Sequence, residues 1–548
     1  MPASSGSRWD YEVRLLAWLA VCVSIFSFLY YFKQGDVLLY GDAVAHINIA
    51  RRVFDSKTPG LLQLGTVWLP LPHLLMLPFV ISNSMWQNGA GESIPSLTAY
   101  VLGVVGMFRL VRGAVARGGE SDVAVRVGAW IAALIYGANP NLIYMQTTAM
   151  GEALYLCFFV WVVVYFSEFL QGDAKALKKC GWCLVAASLT RYDGWFLVAV
   201  IVVGIVVVGL GSRHYRGDRV PGRSDARSSP SKIRAALINF VLISAAGPAL
   251  WMGYNAAVYR NPLEFANGPY SAKAIEQKTR TVNPARGNLR AAAWYFLKSA
   301  ELNVAESPEI ARIWLALTLL GSVGILVVAR WSWPVLLLWA PVPFYAVSVA
   351  YGDVPIFVPT WWPFSLYNVR YGLELLPALS AALGILVYLA MKLSQGLGIF
   401  RGVTALVVVV IAVAAYAPVW QTQPICLREA MVNSRGRIAL EKQLATWLAK
   451  LPPDSTLLMY LGEHPGAVQQ AGIPLKRVIN EGNHRVWNQP SDPNGLWEQA
   501  LADPQRFVDY VVAFDGDSVW AATRGRGFKE LVEIEVTGPP RAILFRAR

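Results

Sequence analysis

The chain has 548 residues, 55% of them hydrophobic and only 15% charged, with a mean hydropathy of +0.41 and a formal net charge of +13. It is far more apolar than an ordinary soluble domain and its apolar residues come in long blocks, which excludes a soluble globular protein and reads as a multi-span membrane protein. There is no Walker or dinucleotide motif, and the positive charge lies mostly in loops between apolar blocks, so it reports membrane orientation and anionic-lipid contact rather than nucleic-acid binding.

A hydrocarbon core of about 30 Å needs about 17 apolar residues or more to cross it. Runs of that length fall at 13–32, 95–111, 123–139, 149–169, 194–210, 235–257, 311–329, 333–350, 366–391 and 402–420, and a shorter run, 182–190, reads as a broken helix among them. The expectation is a mainly α, polytopic protein of about eleven spans. The first span has a weakly basic start (Arg8, Arg14) and no small-residue cleavage site after it, so it reads as a retained signal anchor.

Directly after that span comes GDAVAHINIARRVFDS, in which Ala43, Ile47, Ala50 and Phe54 recur at helical spacing with Arg51 and Arg52 beside them. The pattern predicts a helix lying in the membrane interface. Asp42 at its start is either a helix cap or a chemical group, and His46, one turn on, faces the same way. The next segment, 66–82, carries three prolines within nine positions and predicts a re-entrant or interfacial helix rather than a full span.

Glu152, in TTAMGEALYLCFF, is an acid at the mouth of a span, either snorkelling to the surface or functional. The pair Cys180 and Cys183 in KKCGWCL lacks a redox or metal context and reads as helix-end packing. Arg191-Tyr192-Asp193 interrupts two apolar runs. A buried Arg191 needs an anion, either Asp193 or a ligand phosphate, which a guanidinium grips with two hydrogen bonds. Arg370, in YNVRYGLELLP, is a second candidate phosphate binder with Glu374 one turn on as its ordinary partner, and Tyr371 is beside it.

Basic loops at 109–117, 175–179, 211–234, Arg330 and 392–401 mark the cytoplasmic side, which makes the N-terminus cytoplasmic and gathers the polar motifs on the exterior face. Beyond Trp420 the composition changes to 15 Lys and Arg against 14 Asp and Glu. The stretch 428–450 fits an amphipathic helix, and TLLMY, FVDYVVAF and LVEIEV fit strands. The reading is two domains, 1–420 in the membrane and 421–548 a small soluble α/β domain outside it. At one membrane face there are then two acids, at least two arginines and the aromatic residues Trp68, Tyr144, Tyr192, Trp195 and Tyr371. Such a site suits a substrate with an anionic head and an apolar tail.

These residues resemble the GT-C superfamily of membrane glycosyltransferases, in the bacterial branch related to protein O-mannosyltransferases and aminoarabinose transferases. The resemblance spans about residues 13–420. It is carried by the aspartate of GDAVAHINIARR, the WLPLPHLL segment, the acid of MQTTAMGEALYLCF and the LTRYDGW break. It implies a polyprenyl-phosphate sugar donor, a lipid, glycan or protein hydroxyl as acceptor, reaction at the exterior face of the plasma (inner) membrane, and inversion at the anomeric carbon. Asp42 and Glu152 would be the catalytic acids, with Arg191, Arg370, Tyr192, Asp193 and Tyr371 binding the donor phosphate and His46 and Arg51 in support. In one place the chain departs from the group: where the aminoarabinose transferases carry an acidic-basic pair before the proline-rich segment, Val67-Trp68-Leu69 stands here.

The sequence compels no cofactor and leaves metal dependence open: Asp42, Glu152 and His46 are the candidates for a divalent metal, but neither their spacing nor their number compels one. The main alternative is a transporter or flippase of lipid-linked sugars, which would need charged residues near the bilayer midplane or repeated halves with paired broken helices. A third reading makes the tail the working part, through Glu463-His464, Asn483-His484 and Asp515-Gly516-Asp517.

Overall fold

The structure is a computed structural model that describes residues 6–116, 122–211, 230–279, 282–328, 330–394, 402–483 and 494–548. Arg117, most of the basic loops 211–234 and 392–401, and His484 lie outside the described residues.

The chain opens with α1 (Gly6–Gln34), α2 (Gly41–Arg52), α3 (Leu71–Val80), α4 (Asn83–Asn88), α5 (Ala90–Val115) and α6 (Val123–Gly137). There follow α7 (Pro140–Met145), α8 (Glu152–Leu170), α9 (Ala174–Ser188), α10 (Asp193–Gly211) and α11 (Pro230–Tyr259). Two short helices, α12 (Glu264–Asn267) and α13 (Ala272–Thr279), precede α14 (Leu289–Leu302), α15 (Pro308–Val328), α16 (Pro341–Tyr351), α17 (Leu376–Leu393), α18 (Val403–Thr422) and α19 (Ile425–Leu448). A 3-10 turn, Val369–Leu375, leads directly into α17.

Among the described residues eight helical stretches are long and apolar enough to cross a membrane, and they coincide with eight of the expected spans. The expected spans at 123–139 and 194–210 fall on shorter apolar helices. At about 1.5 Å per residue, the ten residues of α3 reach only about half the hydrocarbon thickness, as the prolines suggested. The run 182–190 is the end of a longer helix, α9, which begins at Ala174 on the basic side and breaks before α10. Cys180 is buried there, with its thiol directed at the Val162 carbonyl at 3.6 Å, and both cysteines are free.

Helices α6 and α17 meet at Gly128 and Gly384. A Cβ on either would come within 2.6 Å of the other's backbone oxygen, so only glycine permits this approach.

After α19 the chain forms a five-stranded mixed sheet: β1 (Leu457–Met459), β2 (Val478–Ile479), β3 (Tyr510–Phe514), β4 (Lys529–Ile534) and β5 (Ala542–Arg546), in the order β2-β1-β3-β5-β4. Strands β1, β2 and β3 run parallel, while β5 is antiparallel to β3 and β4. The helix expected over 428–450 and the three strand motifs fall on α19, β1, β3 and β4.

One expectation is corrected. Helix α2 does not lie with its apolar stripe in lipid: Ala43, Ile47 and Ala50 are fully buried, as are its Val44, Asn48 and Ile49 neighbours, and Phe54 lies beyond the helix end and is exposed. The polypeptide after α19 covers it. Asn48 donates to Gln469 at 2.8 Å, Arg52 pairs with Glu481 at 3.5 Å, and Gln63 donates to the Gly482 carbonyl at 2.8 Å. A helix covered on both sides by protein gains packing that an interfacial helix would take from lipid.

Candidate functional site: two arginines among five carboxylates

Asp42 sits in the first turn of α2. It does not cap the helix, because the cap position is Tyr40 and no side-chain cap bond forms. Its carboxylate instead accepts from Arg370 Nη2 at 2.9 Å and remains about 44% exposed. A half-exposed acid held at one oxygen leaves its other oxygen open to a ligand.

Arg370 enters from the 3-10 turn. Nε donates to Glu152 Oε1 at 3.1 Å and Nη1 to Glu429 Oε1 at 2.7 Å, so that one guanidinium meets three carboxylates from three distant segments. Gly372 makes the position of this turn possible, since a Cβ there would fall 2.4 Å from the backbone of Ser299 and Ala300 in α14. Glu152, the first residue of α8, is buried rather than snorkelling, with only 1% of its surface exposed.

Arg191 lies in the break between α9 and α10. It pairs with Asp193 at 2.8 Å, Glu374 at 3.2 Å and Glu152 at 3.3 Å, and donates to the Tyr345 hydroxyl at 3.0 Å. Tyr345 in turn donates to Glu374 at 2.7 Å. Both guanidiniums stack on the Tyr371 ring, at 4.8 Å for Arg191 and 5.1 Å for Arg370. The expected pairing of Glu374 with Arg370 is therefore corrected. The Val369–Leu375 segment is 3-10, with about three residues per turn, so position 374 does not fall beneath position 370 as it would in an α-helix, and Glu374 reaches Arg191.

The result is a connected cluster of Asp42, Glu152, Asp193, Glu374 and Glu429 around Arg191 and Arg370. Its five carboxylates exceed its two guanidiniums, and Glu152 Oε2 and Glu374 Oε2 are buried with no hydrogen-bond partner among the described residues. Unsatisfied buried carboxylate oxygens are costly, and they are ready acceptors for the hydroxyls of a bound ligand.

The other candidates stand apart. His46 turns to His73, with Nδ1 and Nε2 at 2.7 Å, and packs against Trp68. Burial pushes its imidazole below the usual value against the pull of Asp42 and Glu152. Arg51 is committed to Asp55 at 2.8 Å, to the Val80 and Ile81 carbonyls and to Asn83, with Trp86 under its guanidinium. Tyr192 donates to the Val67 carbonyl at 2.8 Å and stacks on Phe265. Among the described residues no group of three or more His, Cys, Asp or Glu side chains is placed to hold a metal ion. Between Asp42 and Glu152 lies the Arg370 guanidinium, which already supplies a cation there.

In the tail, Glu463 pairs with Lys278, His464 packs on Phe514, Asp515 pairs with Arg541 and Asp517 caps the helix Ser518–Thr523. Sequence reasoning missed Glu429, Tyr345 and His73. The one usable signal for Glu429 was an acid close to the start of an amphipathic helix after the last span, one turn inside α19.

This is the fold of a polytopic helical membrane protein with a cluster of charged groups at helix ends. The chain superposes along nearly its whole length on ArnT from Cupriavidus metallidurans. With the structure bound to undecaprenyl phosphate, the TM-score is 0.57 at 15% identity over 99% of both chains. With the apo structure it is 0.56 at 13% identity, over 100% of this chain and 99% of the other. Neither a family model nor a curated protein matches the sequence.

Proposed function

We propose that the chain is a glycosyltransferase that moves a sugar from a polyprenyl-phosphate donor to a hydroxyl acceptor, at the extracytoplasmic face of the plasma membrane. In this reading residues 1–420 form the membrane-embedded catalytic part and 421–548 an extracytoplasmic domain. The observation that carries the proposal is Arg370 bridging Asp42 and Glu152, at the end of a span, in a fold shared with a protein whose structure holds undecaprenyl phosphate.

Asp42 acts as general base. Its open oxygen takes the proton of the acceptor hydroxyl, and the acceptor oxygen attacks the anomeric carbon from the face opposite the phosphate. The bond from that carbon to the phosphate oxygen breaks, the polyprenyl phosphate leaves with the electron pair, and the configuration inverts. Charge grows on the leaving phosphate, and Arg191 and Arg370, held on the Tyr371 ring, stabilise it from fixed positions. Asp193 and Glu374 orient Arg191. The unpartnered oxygens of Glu152 and Glu374 accept hydrogen bonds from the sugar, which orients it for in-line displacement.

The test is transfer by the full-length protein in proteoliposomes. Radiolabelled polyprenyl-phosphate sugars are the donors and extracted membranes the acceptor, and binding of undecaprenyl phosphate is measured on the same preparation. Label should move to an acceptor with release of polyprenyl phosphate. A preparation that neither binds undecaprenyl phosphate nor transfers any label contradicts the proposal.

A further inference from the structure

We infer that Glu429 is a positioning residue of the transfer reaction, through which the helix after the last span fixes the Arg370 guanidinium against Asp42. The inference rests on the glycosyltransferase reading above. It concerns a residue beyond the part of the chain that carries the GT-C motifs.

Glu429 is fully buried and uses both carboxylate oxygens. Oε1 accepts from Arg370 Nη1 at 2.7 Å, while Oε2 accepts from the backbone amides of Val369 at 2.7 Å and Arg370 at 3.3 Å. One carboxylate thus grips the same residue by its backbone and by the far end of its side chain. A long flexible side chain held at both ends has little freedom left, and a guanidinium fixed in this way presents its other nitrogens in a single direction. Those nitrogens are the ones that meet Asp42 and Glu152.

The helix that carries Glu429 is itself tied to both sides of the site. Close to its start, the Cys426 amide donates to Asn141 at 2.9 Å and the Cys426 carbonyl accepts from Tyr40 at 2.8 Å, two residues before Asp42. Further along, Arg437 donates to the Leu38 and Leu39 carbonyls at 3.1 and 2.9 Å, and Asn433 donates to the Leu366 carbonyl at 2.8 Å. Helix α19 therefore touches the approach to Asp42 and the approach to Arg370 at once, and it sets the distance between base and guanidinium. Arg370 alone does not need a third carboxylate for charge balance, since Asp42 and Glu152 already outnumber it. What Glu429 adds is direction.

The experiment compares steady-state transfer by wild type, Glu429→Gln, Arg370→Lys and the double variant in nanodiscs, with thermal unfolding and undecaprenyl-phosphate binding on the same samples. Leu444→Ala, which loosens the packing of α19 about four turns beyond Glu429 and touches none of these ties, is the structural control. Glu429→Gln should lower kcat about 10- to 100-fold with the donor KM within about threefold, since a misdirected guanidinium is lost from the transition state more than from the bound substrate. In the Arg370→Lys background the same substitution should cost less than about threefold, because the fork it directs is gone, and Leu444→Ala should stay within about twofold of wild type per folded molecule. Wild-type kcat in Glu429→Gln, or an equal loss in both backgrounds, overturns the inference. If Glu429→Gln does not fold, Glu429→Asp, which keeps the charge and shortens the reach, carries the same comparison. A wild type that transfers nothing fails the functional reading; a wild type that transfers, with Arg370→Lys impaired and Glu429→Gln intact, fails this inference alone.

Discussion

Arg51 and Arg370 are about equally buried and each stacks on aromatic rings, yet they do different things. Arg51 takes one carboxylate from the next turn of its own segment and fills its other donors with carbonyls and an amide oxygen. Its charge is balanced once and its directions are all spent inside the fold. Arg370 gathers three carboxylates across as many as 328 positions of sequence, one of them half-exposed. Fold stability does not require three acids around one base, and burying them costs desolvation. An arginine with an excess of carboxylates at the edge of solvent is arranged for a ligand, whereas one balanced locally and closed off is arranged for the fold.

The contrast predicts what substitution does at each place. Arg370→Ala should abolish most transfer, by about 10²- to 10³-fold, as expected for loss of a fixed donor to developing charge. It should also lower stability by about 3–5 kcal/mol, because Glu429 loses its counterion and Glu152 one of its two; thermal unfolding in detergent alongside transfer rates separates the two. Gly372→Ala removes no charged group but pushes the 3-10 turn that carries Arg370 and Glu374 off α14. Transfer should fall about 10- to 100-fold, because displacing a positioned group by about 1 Å is enough for that. Arg51→Ala should destabilise the protein by a comparable 3 kcal/mol or so, but transfer per folded molecule should change less than about threefold. A large loss of transfer in Arg51→Ala, with folding intact, would erase the distinction between the two arginines.

The smallest effect on transfer is expected in the sheet domain. Burial against Phe514 holds the His464 imidazole down at about 4, below the ordinary 6.5. The folded state therefore binds fewer protons than the unfolded one. The contribution of His464 is fully present above pH 6.5 and is lost as the pH falls toward 4, by about 1–3 kcal/mol. His464→Phe should flatten that part of the curve of unfolding temperature against pH while leaving transfer at pH 7 unchanged.

Much of the membrane part could be read from sequence because spans are long and apolar and because Asp42, Glu152, Arg191 and Arg370 interrupt apolar surroundings, where a charge is conspicuous. The partners of those charges could not be read in the same way. An α-helical turn would place Glu374 beneath Arg370, but the chain is 3-10 there, and the difference between about three and about 3.6 residues per turn sends it to Arg191. Glu429 looked like any acid on an amphipathic helix, since nothing local says that α19 folds back over the site. Helix α2 looked interfacial for the same reason: its apolar face is visible in sequence, but not what covers it.

The account turns on Asp42 as the base, and the most direct measurement is transfer by Asp42→Asn compared with wild type in proteoliposomes, with undecaprenyl-phosphate binding and unfolding temperature recorded on the same preparations. Asparagine keeps the shape and a hydrogen-bond acceptor for Arg370 but cannot take a proton. Transfer should drop by about 10²- to 10⁴-fold with binding and folding retained. Unchanged transfer in Asp42→Asn would contradict the account and leave Asp42 as a counterion of Arg370.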